Sequence, residues 1–261
     1  DREVALLFVS AEETGSGYGL QALLEGHPEL FSEEDVILVP DAGSEDGSMV
    51  EVAEKSVLWL DFRTRGSQGH ASAPQYATNA ARAGARIICE LDEHLHECFD
   101  AREDLFSPPH SSFEPTRHEK NVPNINTIPG EEVYSFDCRI LPRYDLERVM
   151  EEVRSVVDKV DGELGTSTEI AVENELQAPP ATPTDAPVVR LVEEAVEEVY
   201  EVKAEPRGIG GSTVAAFFRQ VGYPVVVWSR SLGLAHQVNE HCLVDNMVGD
   251  AKVFAHVFLN E

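Results

Sequence analysis

Three short apolar runs in this chain each end at acidic or imidazole side chains, and this pattern constrains the possible folds most. The runs and the residues that follow them are 5–9 before Glu12 and Glu13, 36–40 before Asp41, and 224–228 before a loop that contains His236. In open α/β sheets, ligands bind at the carboxyl ends of the strands. Carboxylates and an imidazole collected there suit a divalent metal site with a carboxylate general base beside it.

The charge balance of the 261 residues is strongly acidic. Twenty Lys and Arg residues against 48 Asp and Glu residues give a net charge of −28, with 42% of the residues hydrophobic. The acids recur along a chain whose apolar periodicity persists throughout, so we expect a globular protein adapted to a salt-rich cytoplasm and not an acidic disordered one. No basic patch favours nucleic acid as a partner, and no apolar run has the roughly 18 residues of a membrane span.

Cysteine and histidine spacing adds little to the site prediction. Cys89, Cys98, Cys138 and Cys242 show neither zinc-ribbon nor redox spacing, so we expect buried free thiols in a reducing compartment, the cytoplasm. The histidines other than His70 and His236 show no ligand spacing and are interpreted as surface or packing residues.

Periodicity predicts an α/β domain interrupted by an insertion. Residues 1–54 and 177–261 carry the α/β pattern, and residues 55–176 follow the order β-α-β-β-α-β of a ferredoxin-like unit. The predicted strands are 4–9, 36–39, 57–65, 122–128, 133–141, 168–172 and 224–228. The predicted helices are 20–24, from about 78 to 95, 146–157, 188–200, 213–220 and 246–259. Residues 100–121 are interpreted as a loop or edge segment.

Two further motifs are candidates for ligand contacts. His70 lies among small residues in the segment 66–74 and could donate a hydrogen bond to a ligand. Gly210 and Gly211 come just before a predicted helix, which suits an anion such as a carboxylate. Each signal is weak alone, because acidic doublets are common here, Asp favours turns and a loop histidine is ordinary.

Taken in order, the motifs resemble those of the co-catalytic zinc amidohydrolase and peptidase family, which contains succinyl-diaminopimelate desuccinylase, acetylornithine deacetylase, aminoacylase and glutamate-releasing carboxypeptidases. The matching segments are 11–15, 40–41, 69–74, 126–130, 137–142, 210–213 and 235–240. The resemblance implies hydrolysis of the amide bond of an N-acyl amino acid or small peptide, in amino-acid biosynthesis. It also implies a catalytic α/β domain with an inserted lid that forms a homodimer.

The resemblance also implies roles for individual residues. These are Glu12 as the general base; Glu13 and His236 as ligands of one zinc and Asp41 of the other; Asn126, Arg139, Gly210 and Gly211 as the holders of a substrate carboxylate; and His70 as the oxyanion stabiliser, reaching the partner subunit's site. Cobalt is the alternative metal.

The chain departs from the family pattern at its start and near the glycine turn. The family's His-x-Asp pair and bridging Asp are not found before Glu12, and Thr213–Val214 stands where many relatives have Asp. We therefore expect an incomplete catalytic domain that binds zinc weakly or not at all and is inactive by itself. The alternative is a non-catalytic dimerising remnant of such an enzyme.

Overall fold

The computed structural model describes residues 3–10 and 16–259. The chain divides into two compact units. Unit 1 comprises Asp1–Glu54 and Pro179–Glu261, and unit 2 comprises Lys55–Ala178. Among the residues that the structure describes, no helix combines the length and apolar character needed to cross a bilayer.

The strands and helices are numbered in chain order. The strands are β1 (Ile37–Val39), β2 (Met49–Glu54), β3 (Ser56–Arg65), β4 (Gly69–His70), β5 (Ser112–His118), β6 (Thr127–Ile128), β7 (Glu131–Ile140), β8 (Ser167–Leu176), β9 (Glu205–Ile209) and β10 (Val225–Val227). The helices are α1 (Leu20–Gly26), α2 (Ala80–Cys98), α3 (Leu146–Leu164), α4 (Pro187–Tyr200), α5 (Ala215–Gln220) and α6 (Val244–Leu259). Short 3₁₀ turns cover Pro28–Leu30 and Pro74–Tyr76.

Unit 2 is a four-stranded antiparallel sheet with α2 and α3 packed on one face. The strand order is β5-β7-β3-β8, the order of a ferredoxin-like β-α-β-β-α-β unit. Alternate residues of β3 and β7 meet the apolar stripes of both helices in one core. The buried residues of α2 include Ala80, Ala83, Ile87, Leu91 and Leu95. Asn79 and Asp145 begin α2 and α3 by accepting backbone N–H bonds in the first turn. The predicted mixed α/β fold with an α+β insert is confirmed.

One strand of this unit lies elsewhere than predicted. The second strand of the ferredoxin-like sheet is β5, inside the segment interpreted as a loop or edge, and the predicted strand 122–128 is wrong except for β6. The side chain of Phe113 anchors β5 because it is fully buried in the core. In 122–128, Pro123 interrupts the run and Ile125 is fully exposed, so only Thr127 and Ile128 pair, with β4.

Unit 1 contains a mixed sheet in the order β1-β10-β2-β9. β1 runs parallel to β10, β10 antiparallel to β2, and β2 parallel to β9. Helices α1 and α5 share an apolar core with β1 and β10. Sequence patterns indicated β1, β10 and all four helices of the unit but missed β2 and β9. The reason is that β2 carries two buried glutamates and β9 contains Pro206, so neither shows an apolar pattern.

The predicted strand at 4–9 is wrong. Residues 3–10 form no strand, and the side chains of Leu6 and Phe8 are 75% and 90% exposed. Among the described residues no strand lies beside this segment, so its backbone has no ladder to join. The predicted general base and metal ligand that follow it, Glu12 and Glu13, lie outside the described residues.

Candidate metal and substrate site

Asp41 lies where β1 ends, at the edge of the sheet that β1 shares with β10. The two strands are parallel, with Val39 opposite Val227, so both carboxyl ends lie at this edge. Gly43 allows the two segments after these strands to approach closely, because a Cβ atom there would lie 1.6 Å from the carbonyl oxygen of Ser229. The Oγ of Ser229 also donates to the backbone carbonyl of Asp41 (3.3 Å). The Asp41 side chain is exposed at a strand end suited to ligand binding.

His236 lies in the loop that follows β10. Its φ of +60° is in the left-handed region, and its backbone N–H donates to the Glu240 carboxylate (3.1 Å). The imidazole is exposed. Asp41 thus follows the end of β1 directly, whereas His236 lies further on, in the loop after the neighbouring parallel strand β10. Carboxylate oxygens and imidazole nitrogens are both ligands that zinc accepts. Their third predicted companion, Glu13, is not among the described residues.

The glycine turn after β9 faces open space. A Cβ atom at Gly210 or Gly211 would meet no atom within 4 Å, so no close approach inside the chain requires glycine there. The start of α5 is already occupied, since the Thr213 N–H donates to Glu54 (2.9 Å) and the Ala215 N–H to the Thr213 hydroxyl (3.1 Å). The backbone amides of Thr213 and Ala215 are therefore not available to an added anion.

A buried charged cluster of Glu51, Glu54 and Arg219 holds Thr213, which lies just after this turn. Glu54 accepts hydrogen bonds from the backbone N–H and the hydroxyl of Thr213, and its carboxylate lies 3.6 Å from the Arg219 guanidinium. Arg219 also pairs with Glu51 at 2.9 Å. Thr182 accepts from the Arg219 Nε (3.3 Å) and donates to the carbonyl of Val225. Charges as deeply buried as these persist only when paired and hydrogen-bonded.

Burial changes the protonation of this cluster. It raises the pKa of Glu51 to about 8, and the neighbouring Arg219 opposes that rise. Burial also raises the pKa of Glu54, against hydrogen bonds from Thr213. One arginine thus faces two carboxyl groups whose pKa values burial raises, so desolvation favours the protonated form of each against the attraction of Arg219.

In unit 2, β4 and β6 bring His70 and Asn126 together. His70 pairs with Thr127 in the two-stranded sheet, and the side-chain amide of Asn126 lies 3.5 Å from the His70 Nε2. The backbone N–H of Ala71 donates to the carbonyl of Asn126 (2.9 Å), which fixes the two segments against each other. Both side chains are exposed.

The hydrogen bonds of His70 define its tautomer. The backbone N–H of Ser72 donates to Nδ1 at 3.1 Å, and the Ser72 hydroxyl lies 2.8 Å from the same nitrogen. A backbone N–H can only donate, so Nδ1 is the acceptor and the neutral ring carries its hydrogen on Nε2. In this tautomer Nε2 is a hydrogen-bond donor, and the Asn126 Nδ2 at 3.5 Å, also a donor, is not its acceptor.

Arg139 is engaged within its own strand. Its Nε and Nη2 donate to the two carboxylate oxygens of Asp137 at 2.7 and 2.9 Å, and the guanidinium lies 6.0 Å from the centre of the Trp59 ring. The group is half-buried on the sheet face opposite the helices. Asp137 thus holds the bidentate face through which Arg139 was predicted to grip a substrate carboxylate.

Within the described residues, one set of at least three His, Cys, Asp or Glu side chains brings its ligand atoms within 4.8 Å of one another. It is His94, Cys98 and Glu152 in unit 2. Sequence analysis interpreted His94 as a surface or packing residue and expected Cys98 to be buried, whereas Cys98, Cys89 and Cys242 are exposed and Cys138 is the buried thiol. The four-residue spacing of His94 and Cys98 on one helix was the available signal.

Comparison with known proteins identifies the central part of the chain. A family model described as a peptidase dimerisation domain matches residues 52–164. This segment is an M20 peptidase dimerisation domain. It spans β3 to α3 of unit 2, which include both helices and three of the four strands of the ferredoxin-like sheet; the fourth strand, β8, follows the matched segment.

Relatives extend the likeness over nearly the whole chain. A protein of Methanocaldococcus jannaschii named uncharacterized metallohydrolase is 38% identical over 260 residues, which cover 96% of this chain and 63% of that protein. A succinyl-diaminopimelate desuccinylase of Orientia tsutsugamushi is 22% identical, covering 96% of this chain and 62% of that enzyme. The crystal structure of human carnosine dipeptidase 1 shares the fold, with a TM-score of 0.71, 16% identity, and coverage of 95% of this chain and 64% of that one.

These comparisons confirm the resemblance drawn from the motifs. The chain is related to the M20 metallohydrolases and contains their dimerisation domain. It spans less than two thirds of the length of the relatives it matches.

Proposed function

We propose that the natural polypeptide containing these residues is a metal-dependent amidohydrolase that cleaves the amide bond of an N-acyl amino acid or small peptide. The observation that carries the proposal is that Asp41 follows β1 and that His236 lies in the loop after β10, the strand parallel to β1. The names of the relatives, metallohydrolase and succinyl-diaminopimelate desuccinylase, support the same reaction class. We place the reaction in cytoplasmic amino-acid biosynthesis, of the desuccinylase or deacetylase type.

The proposed metal is zinc, with cobalt as the alternative. Glu13 and His236 would hold one ion and Asp41 the other, and their carboxylate and imidazole groups suit either metal. When bound, such a metal supplies a hydroxide near neutral pH and polarises the scissile carbonyl. Glu12, next to the ligand Glu13, is proposed to take the proton from the attacking water and deliver it to the leaving amine.

The dimerisation domain is proposed to contribute His70, Asn126 and Arg139 to the substrate contacts. His70 would donate its Nε2–H to the oxyanion. Asn126 would help to hold the substrate carboxylate, as would the backbone N–H groups of Gly210 and Gly211, which lie in unit 1. Arg139 would bind the same substrate carboxylate, either after the substrate displaces Asp137 or by donating to both carboxylates at once. We further propose a homodimer in which His70 serves the site of the partner subunit, in line with the matched domain.

The test is turnover by the natural polypeptide on N-succinyl and N-acetyl amino acids and on dipeptides, with zinc or cobalt supplied. Glu12→Ala is expected to abolish turnover while metal content stays unchanged, and His70→Ala to lower kcat by about 10²–10³-fold with the dimer intact. Glu29→Ala is the matched control at an exposed acid. Turnover that persists in Glu12→Ala would show that the base is wrongly assigned.

A second candidate is a non-catalytic dimerising protein, favoured by the match of the family model to residues 52–164 alone. Zinc content and oligomeric state of the 261-residue chain in molar salt separate the candidates, measured with Cys98→Ser so that zinc bound at that exposed thiol is not counted. Two tightly bound zinc ions would support the hydrolase in this chain itself. A metal-poor dimer would support the second candidate for this chain, because the predicted ligands Glu13, Asp41 and His236 are too few for two zinc sites.

A further inference from the structure

The cluster His94, Cys98 and Glu152 joins the two helices of unit 2. His94 and Cys98 are one turn apart on α2, with Cys98 its last residue, and Glu152 lies opposite on α3. The His94 Nε2 lies 3.6 Å from the Cys98 Sγ and 2.6 Å from a carboxylate oxygen of Glu152. One imidazole nitrogen thus faces both a thiol and a carboxylate.

These distances nearly match those around a metal ion. Zinc binds sulfur at about 2.3 Å and imidazole nitrogen at about 2.0 Å, so tetrahedral angles put the two ligand atoms about 3.5 Å apart. His94 and Cys98 are already at this separation. The Glu152 oxygen has to move away from the imidazole by less than about 1 Å to complete a three-ligand set.

The surroundings of the cluster favour a cation. The second carboxylate oxygen of Glu152 pairs with Arg148, one turn earlier on α3, which orients the carboxylate and leaves its other oxygen toward His94. The cluster also sits at the carboxyl end of α2, where the helix dipole is negative. His94 and Glu152 are half-buried and Cys98 is exposed, so an ion can enter and keep a water molecule as its fourth ligand.

We propose that His94, Cys98 and Glu152 bind a divalent transition-metal ion, zinc by the chemistry of the ligands, that cross-links α2 to α3. Binding of the ion displaces the thiol proton of Cys98 to solvent and involves no other covalent change. The site belongs to unit 2 and uses a thiolate, whereas Asp41 and His236 lie in unit 1 and the proposed hydrolase site contains no cysteine. The proposal therefore stands whether or not the protein is a hydrolase.

Cobalt titration of the reduced 261-residue chain tests the proposal. Co²⁺ bound to a thiolate gives a sulfur-to-cobalt charge-transfer absorption in the near ultraviolet, which ions held by carboxylates and imidazoles alone do not give. A background with Cys89→Ser and Cys242→Ser removes the other exposed thiols. We expect this background to show the absorption at one equivalent of Co²⁺ and to lose it when Zn²⁺ is added.

Matched variants in this background assign the ligands. Cys98→Ser is expected to remove the absorption, and His94→Ala or Glu152→Gln to weaken cobalt binding at least about tenfold. His96→Ala and Glu151→Gln are the controls, because His96 bonds the backbone of Asp92 and Glu151 shares only Arg148 with the cluster.

Two results would overturn the proposal. One is the absence of the absorption in the folded background protein, with folding checked by circular dichroism. The other is an absorption that survives Cys98→Ser, or that falls equally in His94→Ala and His96→Ala.

Discussion

The sheets of the two units differ in the charged groups that they bury. In unit 2, the face of the sheet under α2 and α3 is lined mainly by apolar residues such as Leu58, Phe62 and Phe136. Its pairs Arg63–Glu131 and Arg65–Glu169 lie at the surface, and the buried Glu132 pairs with an exposed His118. In unit 1, strand β2 places Glu51 and Glu54 in the interior, where Arg219 is their cation. Each of these three side chains is no more than 2% exposed.

The buried residues of unit 2 mainly stabilise its fold, whereas the buried charged residues of unit 1 also fix the position of a turn in the candidate site. Unit 2 is held by an amphipathic pattern that tolerates an acidic surface, since exposed ion pairs contribute little and molar salt screens repulsion. Unit 1 uses its buried carboxylates to fix the Gly210–Gly211 turn through Thr213, at a cost in desolvation. The stability of unit 1, which contains Asp41 and His236, is thus expected to depend strongly on Arg219, the cation that its two buried glutamates share.

Arg219→Met tests this contrast with the largest expected effect. It leaves two buried carboxyl groups without a cation, so the free energy of unfolding of unit 1 is expected to fall by about 3–5 kcal/mol. Denaturation followed by fluorescence of the buried Trp228, in a Trp59→Phe background, measures it, because the chain has two tryptophans, one in each unit. Adding Glu51→Gln should recover part of the loss. A loss below about 1 kcal/mol would mean that the cluster is hydrated.

Leu91→Ala is the corresponding change in unit 2. Leu91 is fully buried between α2 and the sheet, and its truncation is expected to cost about 2–5 kcal/mol. Hydrogen exchange followed by mass spectrometry should show lost protection in peptides of 55–178, with Glu93→Ala on the exposed side of α2 as the control. Equal loss of protection in both units would contradict their description as two separate cores.

The pH dependence of unit 1 is expected to come next in size. Because the folded pKa of Glu51 is raised to about 8 from 4.5, the native state keeps a proton that the unfolded chain releases. Stability is therefore fully present below pH 4.5 and falls as the pH rises toward 8, by at most about 1.4 kcal/mol per pH unit for one proton.

Glu51→Gln checks this assignment. The amide mimics the protonated carboxyl group, so the variant should lose less stability than the wild type between pH 5 and about 8, as followed by Trp228 fluorescence. The raised pKa of Glu54 acts in the same direction and remains in both proteins. Parallel pH profiles of the two proteins would exclude Glu51 as the source.

Arg63→Met should have the smallest effect. The Arg63–Glu131 pair in unit 2 spans 2.7 Å with both side chains more than 40% exposed, so its loss is expected to cost about 0–1 kcal/mol. The difference should vanish in molar KCl, where the Debye length is near 3 Å. A cost above 2 kcal/mol that persists in salt would remove the contrast with Arg219.

The sequence predicted correctly the elements that face an apolar core, and it missed strands in which glutamate or proline interrupts the apolar pattern. α2 and α3 were found from their 3.6-residue stripes, and β3 and β7 from alternation, because each of these elements faces one apolar core. β5 was missed because a single residue, Phe113, anchors it in a polar, proline-containing segment. β2 was missed because its inward side chains include two glutamates, which local pattern places at the surface.

Some features of the candidate site could be predicted from the motifs, and others could not. The positions of Asp41 after β1 and of His236 in the loop after β10, and the pairing of His70 with Asn126, agree with the roles that the motifs implied, and those roles stay predictions. The engagement of Arg139 by Asp137 and of the α5 start by Glu54 was not visible in the motifs. Both depend on contacts made after the strands are in register.

The sequence by itself determined the M20 relationship, the mixed α/β class and the helices of both units, because motif order and periodicity are local properties of the chain. Tertiary structure alone decided the buried Glu51–Arg219–Glu54 cluster and the meeting of His94 and Cys98 with Glu152. The partners in these groups come from separate elements, as with His94 and Glu152, 58 residues apart. Their proximity is set by sheet order and helix packing, which bring distant residues together in ways no local pattern encodes.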